Sequence, residues 1–189
     1  GRQGFAIAQA AIDAGADVTL IAGIVSIAPP VGATLIDITH AHSLYEAVMA
    51  HARDSDALIM AAAVADFRPS ETSDQKLKKS DDPLSLPLTQ NPDILLALAQ
   101  QAQRPQITVG FAAESQDVIE NAQDKLARKK LDMIVANDIT APDAGFGVVT
   151  NRVHLITAEG VTSLPLLTKT EVAARIISWL TQRLTPNDH

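Results

Sequence analysis

Residues 56–79 read DALIMAAAVADFRPSETSDQKLKK, and this stretch decides the fold. Ala57 through Val64 form an apolar run without alternation. That pattern predicts a strand buried on both faces of a parallel sheet. The run closes at Ala65-Asp66, where small side chains give way to an acid. This is the expected carboxyl end of the strand, the edge where open α/β sheets take their ligands. A polar loop follows, then Lys76, Lys78 and Lys79. Small residues let a flat ligand approach the backbone. Asp66 offers acceptors to hydroxyls or to a hydrated metal, and the lysines offer charge to phosphates. A buried strand, a capping Asp and a solvated lysine run would explain the same letters about as well.

Composition narrows the classes. The chain has 189 residues, 47% of them hydrophobic and 20% charged. One globular α/β domain over residues 1–189 is expected, burying roughly 70% of the unfolded surface. The net charge of −7 opposes general binding to nucleic acid, which needs a basic face. Aromatic residues make up only 3%, too few for a base-stacking platform. With no cysteine, thiol catalysis, disulfides and zinc–thiolate sites are excluded within the chain, and a cytoplasmic location is compatible. No apolar run is long enough to span a membrane.

Outward from the central stretch, Gly1-Arg2-Gln3-Gly4 leads into a helix with Phe5, Ile7, Ala8, Ala11 and Ile12 on one face and Gly15 as its stop. Residues 16–23 and 33–39 read as strands, and residues 43–53 as a helix with Leu44, Ala47 and Val48 inward. After the lysines, LSLPLTQ (84–90) alternates, so with KLKK (76–79) it predicts an antiparallel ribbon outside the main sheet, its Pro87 at an edge. Asn91 is the expected cap of the next helix, with Pro92 in the first turn and Asp93 complementing the dipole. Strands are expected at 106–114 and 132–138, helices at 115–130 and 168–184, and a hairpin over 152–167 turning at Glu159-Gly160. This order predicts a doubly wound, Rossmann-like, mostly parallel sheet. The chain opens on a helix where that architecture wants a strand and a ligand loop, so a first strand is expected ahead of Gly1.

Gly1-x-x-Gly4 before a helix resembles the tail of a phosphate loop, since free amides at a helix start attract phosphate. A dinucleotide site would want an acid or an arginine where the strand over 16–23 ends, and Leu20-Ile21-Ala22-Gly23 has neither. Lys125 and Lys129 are four apart and share a helical face. A solvated helix end would account for that spacing too. His40 and His42 have no carboxylate at metal-ligand spacing and read as surface residues.

Together these residues resemble phosphopantothenoylcysteine synthetase, also called phosphopantothenate–cysteine ligase, in bacteria usually the C-terminal half of a bifunctional coenzyme A biosynthesis protein. The resemblance rests on GxxGFAIA at the start, AAAVADFRP at 61–69, KLKK at 76–79, NPDI at 91–94, VGFAAE at 109–114, the lysines at 125 and 129, and VAND at 135–138. It implies CTP as co-substrate with Mg2+, an acyl-cytidylate intermediate, and 4′-phosphopantothenate and cysteine as the molecules joined. By motif, Met60, Ala61, Ala62 and Phe111 would border the nucleotide, and Asp66 would engage the nucleoside. Pro92, Asp93, Ile94, Leu95, Lys125 and Lys129 would complete the CTP site. Lys76 would be catalytic, stabilising charge that builds on departing pyrophosphate. The resemblance further implies a homodimer whose crossing arm is the ribbon at 75–90. It also implies an N-terminal decarboxylase domain carrying FMN in the full protein, a phosphate loop ahead of Gly1, and a cytoplasmic location. Arg2 stands where the family commonly has lysine, which keeps the charge and changes its geometry. Two other readings compete: an NAD(P)-dependent oxidoreductase, opposed by the missing ribose acid, and a non-catalytic dimerising fragment of a flavoprotein.

Overall fold

The structure, a computed structural model, describes residues 1–71, 75, 85–114, 116–138 and 150–184. Helix α1 (Arg2–Asp13) buries Phe5, Ile7 and Ala8. Gly15 follows it with φ +87°, a conformation open to glycine for want of a Cβ. Strands β1 (Thr19–Ala22) and β2 (Thr34–Asp37) pair in parallel, Thr19 opposite Thr34. Helix α2 (Ala41–Ala52) begins at His40, whose Nδ1 accepts from the Ser43 amide at 3.0 Å while Ser43 Oγ accepts from the His40 amide at 3.2 Å. That reciprocal cap gives His40 a structural role.

Strand β3 (Ala57–Met60) leads to a short ribbon, β4 (Phe67–Pro69) antiparallel to β5 (Leu88–Gln90). Helix α3 (Ile94–Ala99) buries Ile94, Leu95, Leu98 and Ala99. Strand β6 (Ile107–Glu114), helix α4 (Val118–Arg128) and strand β7 (Met133–Asp138) follow. Then come β8 (Thr150–Asn151), β9 (Val153–Thr157), β10 (Gly160–Ser163) and β11 (Leu167–Thr168). The closing helix α5 (Lys169–Thr181) starts from a second reciprocal cap between Thr168 and Glu171.

Five strands form the main sheet in the order β10-β9-β7-β6-β3. β3, β6 and β7 run parallel, and the β9–β10 hairpin joins β7 antiparallel. The sheet is therefore mixed, with helices on both faces. Met133, Ile134, Val135 and Ala136 are all at most 2% exposed. Their alternation sends Met133 and Val135 toward α1 and α5, where Ile7, Val172 and Ile176 meet them. Ile134 and Ala136 turn toward Leu44, Val48, Leu95 and Ala122 of α2, α3 and α4. Burying an aliphatic side chain of this size stabilises by roughly 1.5–3 kcal/mol, so β7 anchors both layers.

Several expectations change. β3 stops at Met60, well short of Val64, and bonds only to β6 among the described residues, so Ala57, Leu58 and Ile59 are half-buried rather than enclosed. The apolar run carries no stop signal, and the chain leaves the sheet within it. The described root of the ribbon pairs Leu88–Gln90 with Phe67–Pro69, Phe67 opposite Gln90. Residues 76–79, the expected partner strand, and with them most of the 75–90 arm, lie outside the described residues. Helix α3 is capped by Asp93, which accepts from the Leu96 amide at 3.2 Å, and not by Asn91. Asn91 makes bonds to another part of the chain, described below.

Candidate functional site

The carboxyl ends of the parallel strands gather most of the residues singled out by the sequence. β3 ends at Met60, directly opposite Gly110 of β6, and Phe111 lies opposite Val135 of β7. Met60 and Leu95 are each 9% exposed and pack in the cluster beneath α2, α3 and α4. Ala61 and Phe111 pack on the other face, against the α1–α5 layer. The two groups thus approach the rim from opposite sides of the sheet, as the side-chain alternation of strands requires.

Past β3, residues 61–66 run irregularly to the ribbon, with Ala62 and Asp66 exposed. The Asn91 amide donates to the Asp66 carbonyl at 2.8 Å. The backbone carrying Asp66 is thereby fixed beside the start of α3. Pro92 supplies no donor here, and Asp93 caps the helix while its second oxygen lies 3.0 Å from Lys129 Nζ. Lys125, one turn earlier on α4, is 2.5 Å from Glu114 Oε1 at the end of β6. A continuous line of contacts therefore runs from Asp66 through Asn91 and Asp93 to Lys129, and α4 carries it on to Lys125 and Glu114.

Glu114 was not singled out by the sequence, although an acid at the carboxyl end of a buried strand was a usable signal. Arg68 and Asn91 were missed as bonding partners because their contacts span more than twenty residues. The ion pairs change the electrostatic reading of the lysines. Each is matched by a carboxylate, so the four side chains sum to no net charge. Lys129 is 19% exposed and Lys125 37%, so both are partly desolvated and the pairing limits the cost of that. Such lysines suit hydrogen bonds to neutral oxygens as well as to anions. Charge for a phosphate chain would have to come from elsewhere, and Lys76, Lys78 and Lys79 lie outside the described residues.

Two further cations, Arg2 and Lys169, sit at the starts of α1 and α5. Gln3 Nε2 donates to the Lys169 carbonyl at 3.0 Å, which ties α1 to α5. Burial, and then the neighbouring Arg2 charge, hold the Lys169 pKa below its ordinary value. A recess of about 200 Å³ beside the end of β1 is lined by Phe5, Ala22, Ile24, Val25, Leu35 and Asp37. None of the expected nucleotide contacts lines it. Among the described residues no three His, Asp or Glu side chains cluster as a metal cage, and no helix is long and apolar enough to cross a membrane.

Residues 1–184 match the family described as DNA/pantothenate metabolism flavoprotein C-terminal domain. The chain is 42% identical over 179 residues to the coenzyme A biosynthesis bifunctional protein CoaBC of Vibrio vulnificus, covering 94% of this chain and 45% of that protein. It thus spans about half the length of the curated relatives it matches. A crystal structure of the C-terminal domain of a CoaBC protein superposes with a TM-score of 0.81 at 35% identity, covering 97% of this chain and 83% of that one. A Cab2 variant in complex with phosphopantothenate-cysteine shares the fold, with a TM-score of 0.60 at 18% identity over 82% of this chain and 56% of that one.

Proposed function

Since the chain belongs to the DNA/pantothenate metabolism flavoprotein C-terminal-domain family, we propose that it is the ligase part of a coenzyme A biosynthesis protein, joining 4′-phosphopantothenate to cysteine at the expense of CTP. The observation that carries the reading is the line of contacts from Asp66 to Lys129 and Lys125, which gathers residues from three separate motifs at one rim. The ligand in the Cab2 complex is the product this reaction would make.

In the proposed reaction the carboxylate of 4′-phosphopantothenate attacks the α-phosphorus of CTP. A new P–O bond forms, the bond to the β-phosphate oxygen breaks, and pyrophosphate leaves. The cysteine amine then attacks the acyl carbon, the amide forms, a proton is lost from nitrogen, and CMP departs. Met60, Ala61, Ala62 and Phe111 would border the nucleotide from the two sides of the sheet. Asp66 would meet the ribose hydroxyls. Residues 92–95, with Lys125 and Lys129 held by their carboxylates, would supply directed hydrogen bonds. Preset donors of this kind need little reorganisation as charge develops. Lys76 would meet the pyrophosphate.

Magnesium fits as a companion of the nucleotide. It keeps several waters and needs only one or two carboxylates beyond the phosphates, and exposed Asp66 could contribute an oxygen. A homodimer crossing through the arm at 75–90, with Lys76 serving the neighbouring site, belongs to the same reading. In support, Phe67, Leu86 and Leu88 project from the ribbon's described residues at 53%, 59% and 57% exposure, an apolar surface suited to a second copy. The full sheet would be Rossmann-like, the full protein cytoplasmic, and an FMN-dependent decarboxylase domain would be joined to this one as the bifunctional relatives' name suggests.

The test is pyrophosphate release by the full-length protein. Release should require both CTP and phosphopantothenate, and adding cysteine should yield CMP and phosphopantothenoylcysteine. Equal release without the acid would overturn acyl activation.

A further inference from the structure

Arg68 and Asn91, which belong to the stretches at 61–69 and 91–94 but are given no ligand contact above, tie the walls of this site together. Arg68 Nη1 donates to the Gln90 carbonyl at 2.7 Å and to Asn91 Oδ1 at 2.9 Å. Asn91 Nδ2 in turn donates to the Ala65 carbonyl at 2.8 Å, and the Asn91 amide donates to the Asp66 carbonyl at the same distance. Asn91 thereby uses its backbone donor and both ends of its carboxamide to hold the 61–66 segment against the start of α3. The Arg68 guanidinium fixes the orientation of that carboxamide: its charge demands that Asn91 present oxygen, which leaves nitrogen for Ala65.

We propose that Arg68 and Asn91 are positioning residues for the nucleotide site, setting the separation between Asp66 on one wall and the Asp93–Lys129 pair on the other. The inference rests on the ligase reading above. Regular structure holds these walls only in part, through the short β4–β5 ribbon beside Asp66 and the buried side chains of α3. The segment over 61–66 belongs to no strand or helix, and α3 has only six residues. The groups lie largely at the surface, where hydrogen bonds compete with water and add little to global stability. Their effect is local: without the side-chain bonds one backbone bond and the ribbon pairing still join Asp66 to the start of α3, but the 61–65 segment loses its tie at Ala65 and can shift. A ligand that needs both walls at once then loses affinity, since a misplacement near 1 Å can cost about a hundredfold. The carboxamide is required for its two unlike ends, so aspartate is no substitute. It keeps and strengthens the bond from Arg68 and loses the one to Ala65.

The experiment measures CTP binding by calorimetry and steady-state kinetics in the full-length protein for Asn91→Ala, Asn91→Asp, Arg68→Ala and Arg68→Lys, with thermal melting of each. The expected result is a KM and Kd for CTP raised about tenfold or more in Asn91→Ala and Arg68→Ala, with smaller changes in kcat and melting temperatures near wild type. Arg68→Lys should recover part of the loss, because an ammonium can still reach one acceptor. Asn91→Asp should resemble Asn91→Ala more than wild type. If wild type binds CTP and both alanine variants keep its KM and Kd within about twofold, the positioning role is overturned. A fall in melting temperature and kcat with KM unchanged would also overturn it, marking the bonds as structural support only. Failure of wild type itself to bind CTP would defeat the ligase reading, and this inference with it.

Discussion

The Lys129 ammonium lies 3.0 Å from one oxygen of Asp93, and the other oxygen of the same carboxylate caps α3 through the Leu96 amide. One side chain thus caps the start of one helix and holds a cation at the end of another. The two jobs separate by substitution. Asp93→Asn keeps a good capping oxygen and loses the ion pair, which at partial exposure should cost less than about 1 kcal/mol. Asp93→Ala loses both and should cost about 1–2 kcal/mol. Urea unfolding of the two variants checks the order; equal losses would mean the pair outweighs the cap.

Gly110 lies in β6 beneath α3 and the residues after α4. A Cβ built there would sit 2.7 Å from Leu131 Cδ1 and 3.3 Å from Leu95 Cδ1. Leu131 is 8% exposed and Leu95 9%, so neither has much room to withdraw. Gly110→Ala should destabilise by about 1–3 kcal/mol through overpacking, read as a lower urea midpoint with an unchanged slope. A midpoint equal to wild type would show that Leu131 repacks at little cost.

If Lys76 acts in the neighbouring subunit's site, two inactive proteins should complement each other. Mixing Lys76→Ala with Asp66→Ala after dissociation gives mixed dimers with one intact and one doubly defective site. Random assortment of a symmetric dimer should restore about a quarter of wild-type activity. No recovery over either variant alone would place Lys76 in its own subunit's site.

The start of α5 carries a pH signature. Glu171 Oε2 accepts from the Thr168 amide at 2.8 Å and from its hydroxyl at 2.7 Å. The hydroxyl bond first, then the amide bond, holds the Glu171 pKa below the ordinary carboxylate value. The stabilisation is therefore present above the unfolded-chain pKa and is lost as pH falls through the lower, folded one. Wild type should melt above Glu171→Gln near neutral pH, and the gap should close in acid. Thr168→Ala, which removes the cap, should cost about 1 kcal/mol at neutral pH. A gap that persists unchanged in acid would remove the carboxylate from the explanation.

How much of this could be read from the letters differs by residue. The strand over 106–114 and the hairpin turning near Gly160 were legible, because their patterns and turn residues are local. The end of β3 was not. Ala61-Ala62-Ala63-Val64 is as apolar as the strand before it, yet the chain leaves the sheet there although β6 runs on to Glu114. Asn91-Pro92-Asp93 fits a cap at either Asn91 or Asp93. The choice was made by Arg68 and Ala65, more than twenty positions away, which engage the Asn91 side chain. Helical spacing placed Lys125 and Lys129 on one face, but nothing in α4 itself announced that Glu114 and Asp93 would meet them.

By itself the sequence determined the order of the main helices and strands and the family to which the chain belongs, while it placed on β3 the two-sided burial that belongs to β7. The order and the family follow from periodicity, capping chemistry and motif spacing, which act over a few residues at a time. Only the tertiary structure decided that Asp66 and Lys129 belong to one rim, that the lysines there are charge-matched, and which side chains bind the walls together. Such facts depend on distances between segments far apart in the chain, and those are settled when the sheet and its two helical layers pack.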